Sequence, residues 1–311
     1  MMHEACAAVR PILKWAGGKR QLLPELRPFF PRHFRRYFEP FLGSGAVFLD
    51  LYNTGGLDGR QVRLSDINAD VIGCYRAVRD SIDEVVAALR ALEARYRVEG
   101  AALFYDIRDG AFNPLRRRLQ AGGDPLRGYT PSLAAMLIFL NRTGFNGLFR
   151  VNARGEFNVP AGRHAHPTIC DEANLRAWHA ALRRRGVTLE VCTFEEALVD
   201  VGADDFVYLD PPYAPTSGTA RFTAYTAGGF DADRQQALQQ TVIALASRGA
   251  AVLLSNSAVP QIRRLYANHK AARSAGLRAT TVAARRAINA RASARGPVRE
   301  YLITNVSRRA V

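Results

Sequence analysis

Short apolar runs, each stopped by glycine, proline or an acidic residue, recur at both ends of this chain. Tyr37-Phe-Glu-Pro-Phe-Leu42 reads as a strand that breaks at Gly43-Ser-Gly45, and Ala46 to Tyr52 reads as the helix that follows. Gln61 to Ser65 alternates polar and apolar positions and ends at Asp66, with a helical stretch from Ala69 through Val78. The same texture returns from Val187. Strands are expected over Val187–Cys192, Asp205–Leu209 and Ala250–Leu254, and a helix over Ala232–Arg248. Leu277–Val282 and Tyr301–Val306 are expected to pair as a closing hairpin. Short apolar strands alternating with helices predict an α/β fold around a parallel-type sheet.

Residues 69–185 carry a different pattern. From 81 to 120 the periods are helical, with Val85, Leu89, Leu92 and Tyr96 on one stripe. Leu133 to Leu140 is an apolar helix that stops at Asn141-Arg-Thr-Gly-Phe-Asn-Gly147. Leu148–Val151 and Glu156–Val159 then flank Asn152-Ala-Arg-Gly155, the signature of a β-hairpin. This predicts one domain from 1–68 and 186–311, and an inserted domain from 69–185. The Ala/Arg-rich stretch 283–299 is expected to be a loop.

Charge sharpens the division. The 311 residues carry 43 Lys+Arg against 28 Asp+Glu, a formal charge of +15. Residues 108–185 are net +8 and residues 263–311 net +11, while 186–262 are net −6 and 1–107 only +2. Arginine and alanine enrichment explains why lysine is confined to Lys14, Lys19 and Lys270, but not why the cations cluster. Basic blocks flanking an acidic one point to a polyanion, with nucleic acid the leading partner. Cys6, Cys74, Cys170 and Cys192 are too scattered for a disulfide framework and suit a reducing compartment. The longest apolar run, Leu133 to Leu140, is too short to span a bilayer, and the N-terminus lacks a secretory h-region. The expected setting is cytoplasmic, with no membrane partner.

Two motifs carry chemistry. A strand running into Gly43-Ser-Gly45 brings backbone N–H groups against a ligand, and Asp66, at the end of the second strand, suits the hydroxyls of a ribose. Phe48 stands where a dinucleotide fingerprint needs its third glycine. That argues against NAD and for an adenosine ligand without a pyrophosphate; the competing reading is an ordinary strand-to-helix turn. Asp210-Pro-Pro-Tyr213 follows a buried-looking strand. The Asp210 carboxylate and the Pro211 carbonyl are two acceptors, which suits an exocyclic amino group with two hydrogens to donate. Tyr213 offers a face for stacking a base, against the alternative of a packed tyrosine in a strand-ending turn. His164, His166 and Cys170 are spaced too tightly and lack a fourth ligand for zinc, so no metal is expected. Phe222 to Gly229 reads equally as a lid or as a plain loop.

Leu13-Lys-Trp-Ala-Gly-Gly-Lys19, Phe38 to Gly45, Ser65-Asp-Ile-Asn68, Asn141 to Gly147, Arg154-Gly-Glu-Phe-Asn-Val-Pro160, Asp210 to Tyr213 and Ser255-Asn256 occur in an order that resembles Dam-type DNA adenine-N6 methyltransferases. The resemblance runs from about residue 11 to 306. It implies a Rossmann-like S-adenosylmethionine-dependent methyltransferase sheet, with 69–185 as a helical and β-hairpin target-recognition domain. It further implies methyl transfer to a flipped-out adenine in double-stranded DNA, within GATC, by a monomer. By this resemblance Trp15, Lys19, Glu39, Gly43, Gly45, Asp66 and Asp210 would hold the cofactor, and Asp210, Pro211 and Tyr213 would be catalytic. Lys14, Leu148, Arg150 and Pro160 would read the bases, Asn146 would lie beside the vacated base, and Arg142 and Arg163 would approach phosphates or hold the hairpin. His164 stands where a tyrosine is usual, and Ala287 in Arg285-Arg-Ala-Ile-Asn289 replaces a frequent serine; the first bears on the recognition sequence. The rivals are an amino-methyltransferase acting on RNA, a DNA adenine methyltransferase with another recognition site, and a degenerate methylase that only binds DNA.

Overall fold

The computed structural model describes residues 8–15, 17–214, 230–285 and 297–309. Packing divides the chain into two compact units. One comprises residues 19–42, 59–68 and 188–311; the other comprises 1–18, 43–58 and 69–187.

The first unit is built on a seven-stranded sheet. Its strands are β1 (Arg36–Glu39), β2 (Gln61–Asp66), β3 (Val187–Val191), β4 (Phe206–Leu209), β5 (Ala251–Ser257), β6 (Arg278–Arg285) and β7 (Pro297–Thr304). They lie in the order β3-β2-β1-β4-β5-β7-β6. β1 pairs in parallel with β2 and β4, and β4 with β5, whereas β7 runs antiparallel between β5 and β6. This is the expected Rossmann-like sheet, closed by the expected C-terminal hairpin. All four side chains of β4 are buried, as a parallel strand covered on both faces requires. The helix Ala232–Ser247 covers one face with Leu238, Val242 and Leu245, which share a buried cluster with Val207, Leu209, Val252 and Leu254. Asp231 caps that helix by accepting the Arg234 N–H at 2.9 Å. β1 is shorter than the apolar run suggested and ends at Glu39, because Pro40 has no N–H to continue a ladder. β5 is longer and runs through Ser255-Asn-Ser257.

The second unit is mainly helical. Its longer helices span Ala69–Asp80, Ile82–Glu99, Asn113–Ala121, Pro131–Thr143 and Glu172–Leu182, with a π-helical segment at Asp106–Phe112. Thr130 starts the Pro131–Thr143 helix, its side chain accepting from Leu133 N–H with Pro131 at the first helical position. Val85, Leu89 and Leu92 are buried as their stripe predicted, and Tyr96 meets Phe139 edge-on at 5.6 Å.

Residues 148–160 double back as expected, but not as a laddered hairpin. Among the described residues a single bridge joins Val151 to Phe157, with Asn152 N–H donating to Glu156 and Asn158 N–H to Arg150. Side chains replace the missing ladder. Asn113 both accepts from Phe157 N–H at 2.8 Å and donates to the Phe157 carbonyl at 3.0 Å. Arg116 donates to the Gly155 carbonyl at 2.7 Å and Arg108 to the Val159 carbonyl at 2.9 Å. Arg116 is itself fixed by a buried ion pair with Asp70 at 2.7 Å.

Candidate functional site

Parallel pairing puts the carboxyl ends of β1, β2, β4 and β5 on one edge of the sheet, and the strand order reverses between β1 and β4. Open α/β sheets bind ligands outside the carboxyl ends at such a reversal. Glu39 ends β1 and is 2% exposed, accepting the Tyr37 hydroxyl at 2.8 Å. Asp66 ends β2, half-buried, and its Oδ1 accepts the Asn68 N–H at 2.9 Å.

Asp210 follows β4 directly and is held by two side chains. Its Oδ1 lies 2.7 Å from Lys19 Nζ and accepts the Ser255 hydroxyl at 3.1 Å. Both contacts fall on the same oxygen. Burial pushes the carboxyl above the ordinary aspartate range, and the nearby Glu300 charge acts in the same sense; Lys19 and Ser255 oppose them. The Lys19 ammonium also sits 4.7 Å from the centre of the Tyr213 ring. The Tyr213 hydroxyl donates to Glu300 at 2.7 Å, and burial holds its pKa well above that of an ordinary phenol, so it stays a neutral donor.

The rigid turn is braced from behind. Gln235 donates to the Pro212 carbonyl at 2.9 Å, rather than to Pro211, and accepts from Asn256 at 3.0 Å. Asn256 accepts the Ala214 N–H at 3.3 Å, and the Ser257 hydroxyl donates to the Ala214 carbonyl at 2.8 Å. Sequence reasoning noted Ser255 and Asn256 as a motif without a task and missed Gln235 and Glu300. The signal for Ser255 lay in strand register, which sets Leu209 opposite Leu254 and hence Asp210 beside Ser255.

In the helical unit, Gly43 and Gly45 have left-handed φ of +46° and +64°. A side chain at Gly43 would place its Cβ 2.7 Å from the Trp15 ring. Trp15 stacks on Phe149 at 5.5 Å, between Leu148 and Arg150 in the chain. Lys14 is half-buried; burial and the Arg142 charge lower its pKa. Arg142 reaches the Pro11 carbonyl at 3.4 Å, and its own pKa is lowered by burial. Lys14, Arg142, Arg163, His164, His166 and Thr168 line a polar cavity of about 400 Å³. The His164 ring is 3.4 Å from the Gly144 carbonyl, folded over Gly162. Arg150 and Pro160 are exposed, and Arg150 holds Asn158 through Nε at 2.8 Å, leaving Nη1 out of that contact. Asn146 adopts φ +55°, unusual for a residue with a side chain, and its buried Nδ2 has no partner among the described residues. The lid reading of Phe222–Gly229, the resemblance at 286–289 and Cys6 fall outside the described residues.

A family model for D12 class N6 adenine-specific DNA methyltransferases matches residues 15–280. The chain belongs to this family. It is 33% identical over 305 residues to a type II methyltransferase of Lactococcus lactis subsp. cremoris, covering 96% of this chain and 95% of that one. It is 37% identical over 258 residues to a type II methyltransferase of Methanocaldococcus jannaschii, covering 80% and 84%. It is likewise 37% identical over 261 residues to the DNA adenine methylase of Escherichia coli K12, covering 84% and 85%. The family's reaction is transfer of a methyl group from S-adenosylmethionine to adenine N6 in DNA, which sets aside an RNA substrate. Among the described residues no helix is long and apolar enough to cross a membrane.

Proposed function

We propose that this chain methylates a flipped-out adenine within GATC, using Asp210, Pro211 and Tyr213 for the chemistry. In this reading 1–68 and 186–311 form the catalytic domain and 69–185 the target-recognition domain. Trp15, Lys19, Glu39, Gly43, Gly45, Asp66 and Asp210 would hold S-adenosylmethionine. The residues fit such a group. Glu39 and Asp66 are carboxylates at strand ends, suited to hydroxyls and to a cation, and Gly43 keeps the backbone bare of a side chain against the Trp15 ring. When bound, the cofactor supplies an electrophilic sulfonium methyl group.

Adenine's amino nitrogen is a weak nucleophile because its lone pair is delocalised into the ring. The observation that carries the mechanism is the asymmetry of Asp210. Lys19 and Ser255 both engage Oδ1, which favours the ionised carboxylate against burial and fixes its rotation, and leaves Oδ2 to accept one amino N–H. Gln235 engages the Pro212 carbonyl, so the Pro211 carbonyl is the proline acceptor for the second hydrogen. With both hydrogens held, the nitrogen pyramidalises and its lone pair points out of the ring plane. Tyr213, tethered by Glu300, would stack the extruded base, whose flipping costs on the order of a few kcal/mol. Placement and electrostatics account for the catalysis, without a covalent enzyme intermediate or a metal.

For recognition, Lys14 and Arg150 would meet guanine acceptors, while Leu148 and Pro160 would meet apolar edges such as the thymine methyl. Asn146 would approach the space the adenine leaves, and Arg142, Arg163 and His164 the backbone phosphates. The proposed enzyme is a monomer in the cytoplasm, associated with the nucleoid through DNA. The test is incubation with tritiated S-adenosylmethionine and two duplexes, one holding a single GATC and one with that site scrambled. Label confined to the GATC duplex, recovered as N6-methyladenine, is expected. Equal label on both duplexes would keep the chemistry and overturn GATC as the site; the substitution of histidine at position 164 makes that the outcome to examine first.

A further inference from the structure

Residues 9–14 belong to no strand. An extended segment without a ladder needs other partners for its backbone groups. Side-chain amides from three helices provide them. Asn53 accepts the Val9 N–H at 2.9 Å and donates to the Val9 carbonyl at 3.0 Å. Asn174 does the same to Arg10 at 2.9 and 2.8 Å. Asn141 does the same to Lys14 at 2.7 and 2.8 Å.

Asn141 differs in making a third bond, from Nδ2 to the Gly147 carbonyl at 3.0 Å. Both amide hydrogens are thereby used, and the residue is 2% exposed, so it has no donor left to offer a base. Gly147 completes the arrangement with φ +62°, and a Cβ there would fall 2.4 Å from both Cβ and Cδ of Lys14. The stem of Lys14 therefore lies across the bare α-carbon of Gly147, one residue before Leu148.

We infer that Asn141 is a positioning residue for sequence specificity, aiming Lys14 by locking its main chain to the Gly147 turn. The inference rests on the proposed reading of Lys14 as a base contact. A lysine ammonium is a point charge on a four-carbon stem, and it will satisfy itself with any phosphate within reach. It discriminates between bases only when the stem starts from a fixed place. Freeing the main chain leaves the charge near DNA and removes its aim.

The test compares kcat/KM on a GATC duplex with kcat/KM on duplexes carrying one substituted outer G·C pair. Asn141→Ala is expected to lower this discrimination by about tenfold, through loss of rate on GATC, with the salt dependence of binding unchanged. Asn174→Ala removes an equivalent two-point bracket from the same segment. It is expected to lower the melting temperature while leaving the ratio within about twofold. Gly147→Ala keeps Asn141 but crowds the Lys14 stem and strains the left-handed turn that the amide holds, and is expected to lower discrimination too, so it decides the matter if Asn141→Ala does not fold. Proportional loss on both substrates, in Asn141→Ala or in the deciding Gly147→Ala, overturns the inference. Lys14→Ala separates the two levels. If it leaves the ratio intact, the reading of Lys14 falls and the inference with it; if it collapses the ratio while Asn141→Ala and Gly147→Ala do not, the inference alone falls.

Discussion

The Asp210 turn and the Lys14 segment are both irregular backbone carrying a polar side chain, and they are held by different means. Asp210 inherits its place from the parallel register of β4 and β5, and its carboxylate is then trimmed by Lys19 and Ser255. Lys14 has no strand to inherit from and is held by the amide of Asn141, as Phe157 in the 148–160 segment is held by Asn113. On the proposed reading, a sheet edge suits chemistry, where one oxygen must not move, and amide brackets suit base contacts, each of which can be set almost independently of the others.

The comparison is broken most directly at Asp210. Asp210→Ala is expected to lower methyl transfer by at least about a thousandfold while DNA binding by gel shift stays near wild type. Near-normal turnover would remove the carboxylate from the mechanism. Next in size is Asn113→Ala, which strands both polar groups of a buried peptide. A loss of about 2–4 kcal/mol in denaturant unfolding is expected, together with weaker DNA binding and unaltered cofactor affinity. A laddered hairpin would tolerate that change, so a loss below about 0.5 kcal/mol would show the bracket to be dispensable.

A subtler probe uses pH. Asp210 accepts an N–H more strongly when ionised, and burial raises its pKa, so activity is expected to fall as pH drops through that raised value. Lys19 pulls the other way, and Lys19→Met should move the acid limb of the kcat profile to higher pH. A limb that stays put, or moves down, would mean that Lys19 does not tune this carboxylate. The smallest effect is expected at Glu300. Glu300→Gln keeps an acceptor for the Tyr213 hydroxyl and should leave kcat within about threefold, whereas Glu300→Ala should cost about 1 kcal/mol in transition-state stabilisation. Equal losses in both variants would point to the charge of Glu300 rather than to its hydrogen bond.

Much of this was legible along the chain. The glycines at 43 and 45, the acidic end of β2 and the Asp-Pro-Pro-Tyr turn are local signals, because a positive φ, a strand end or a proline pair acts on its own neighbours. The doubling back of residues 148–160 was legible for the same reason. Its lack of a ladder was not, since Asn113 lies 44 positions from Phe157. Glu300 sits 87 positions from Tyr213, and Gln235 is one polar residue among several in an amphipathic helix.

The sequence by itself determined the alternation of strands and helices, the placement of two basic blocks around an acidic one, and the acidic residue that ends β2. Those follow from periodicity, composition and nearest-neighbour stereochemistry, which a linear chain displays. Tertiary structure alone decided which oxygen of Asp210 Lys19 and Ser255 engage, which proline carbonyl Gln235 engages, and what holds Lys14. Each is settled by a side chain meeting backbone or a second side chain from a distant part of the chain: Asn141 is 127 positions from Lys14. Hydrogen bonds are satisfied in space, and an asparagine on a buried helix face looks the same in sequence whether it braces a reader or merely caps a turn.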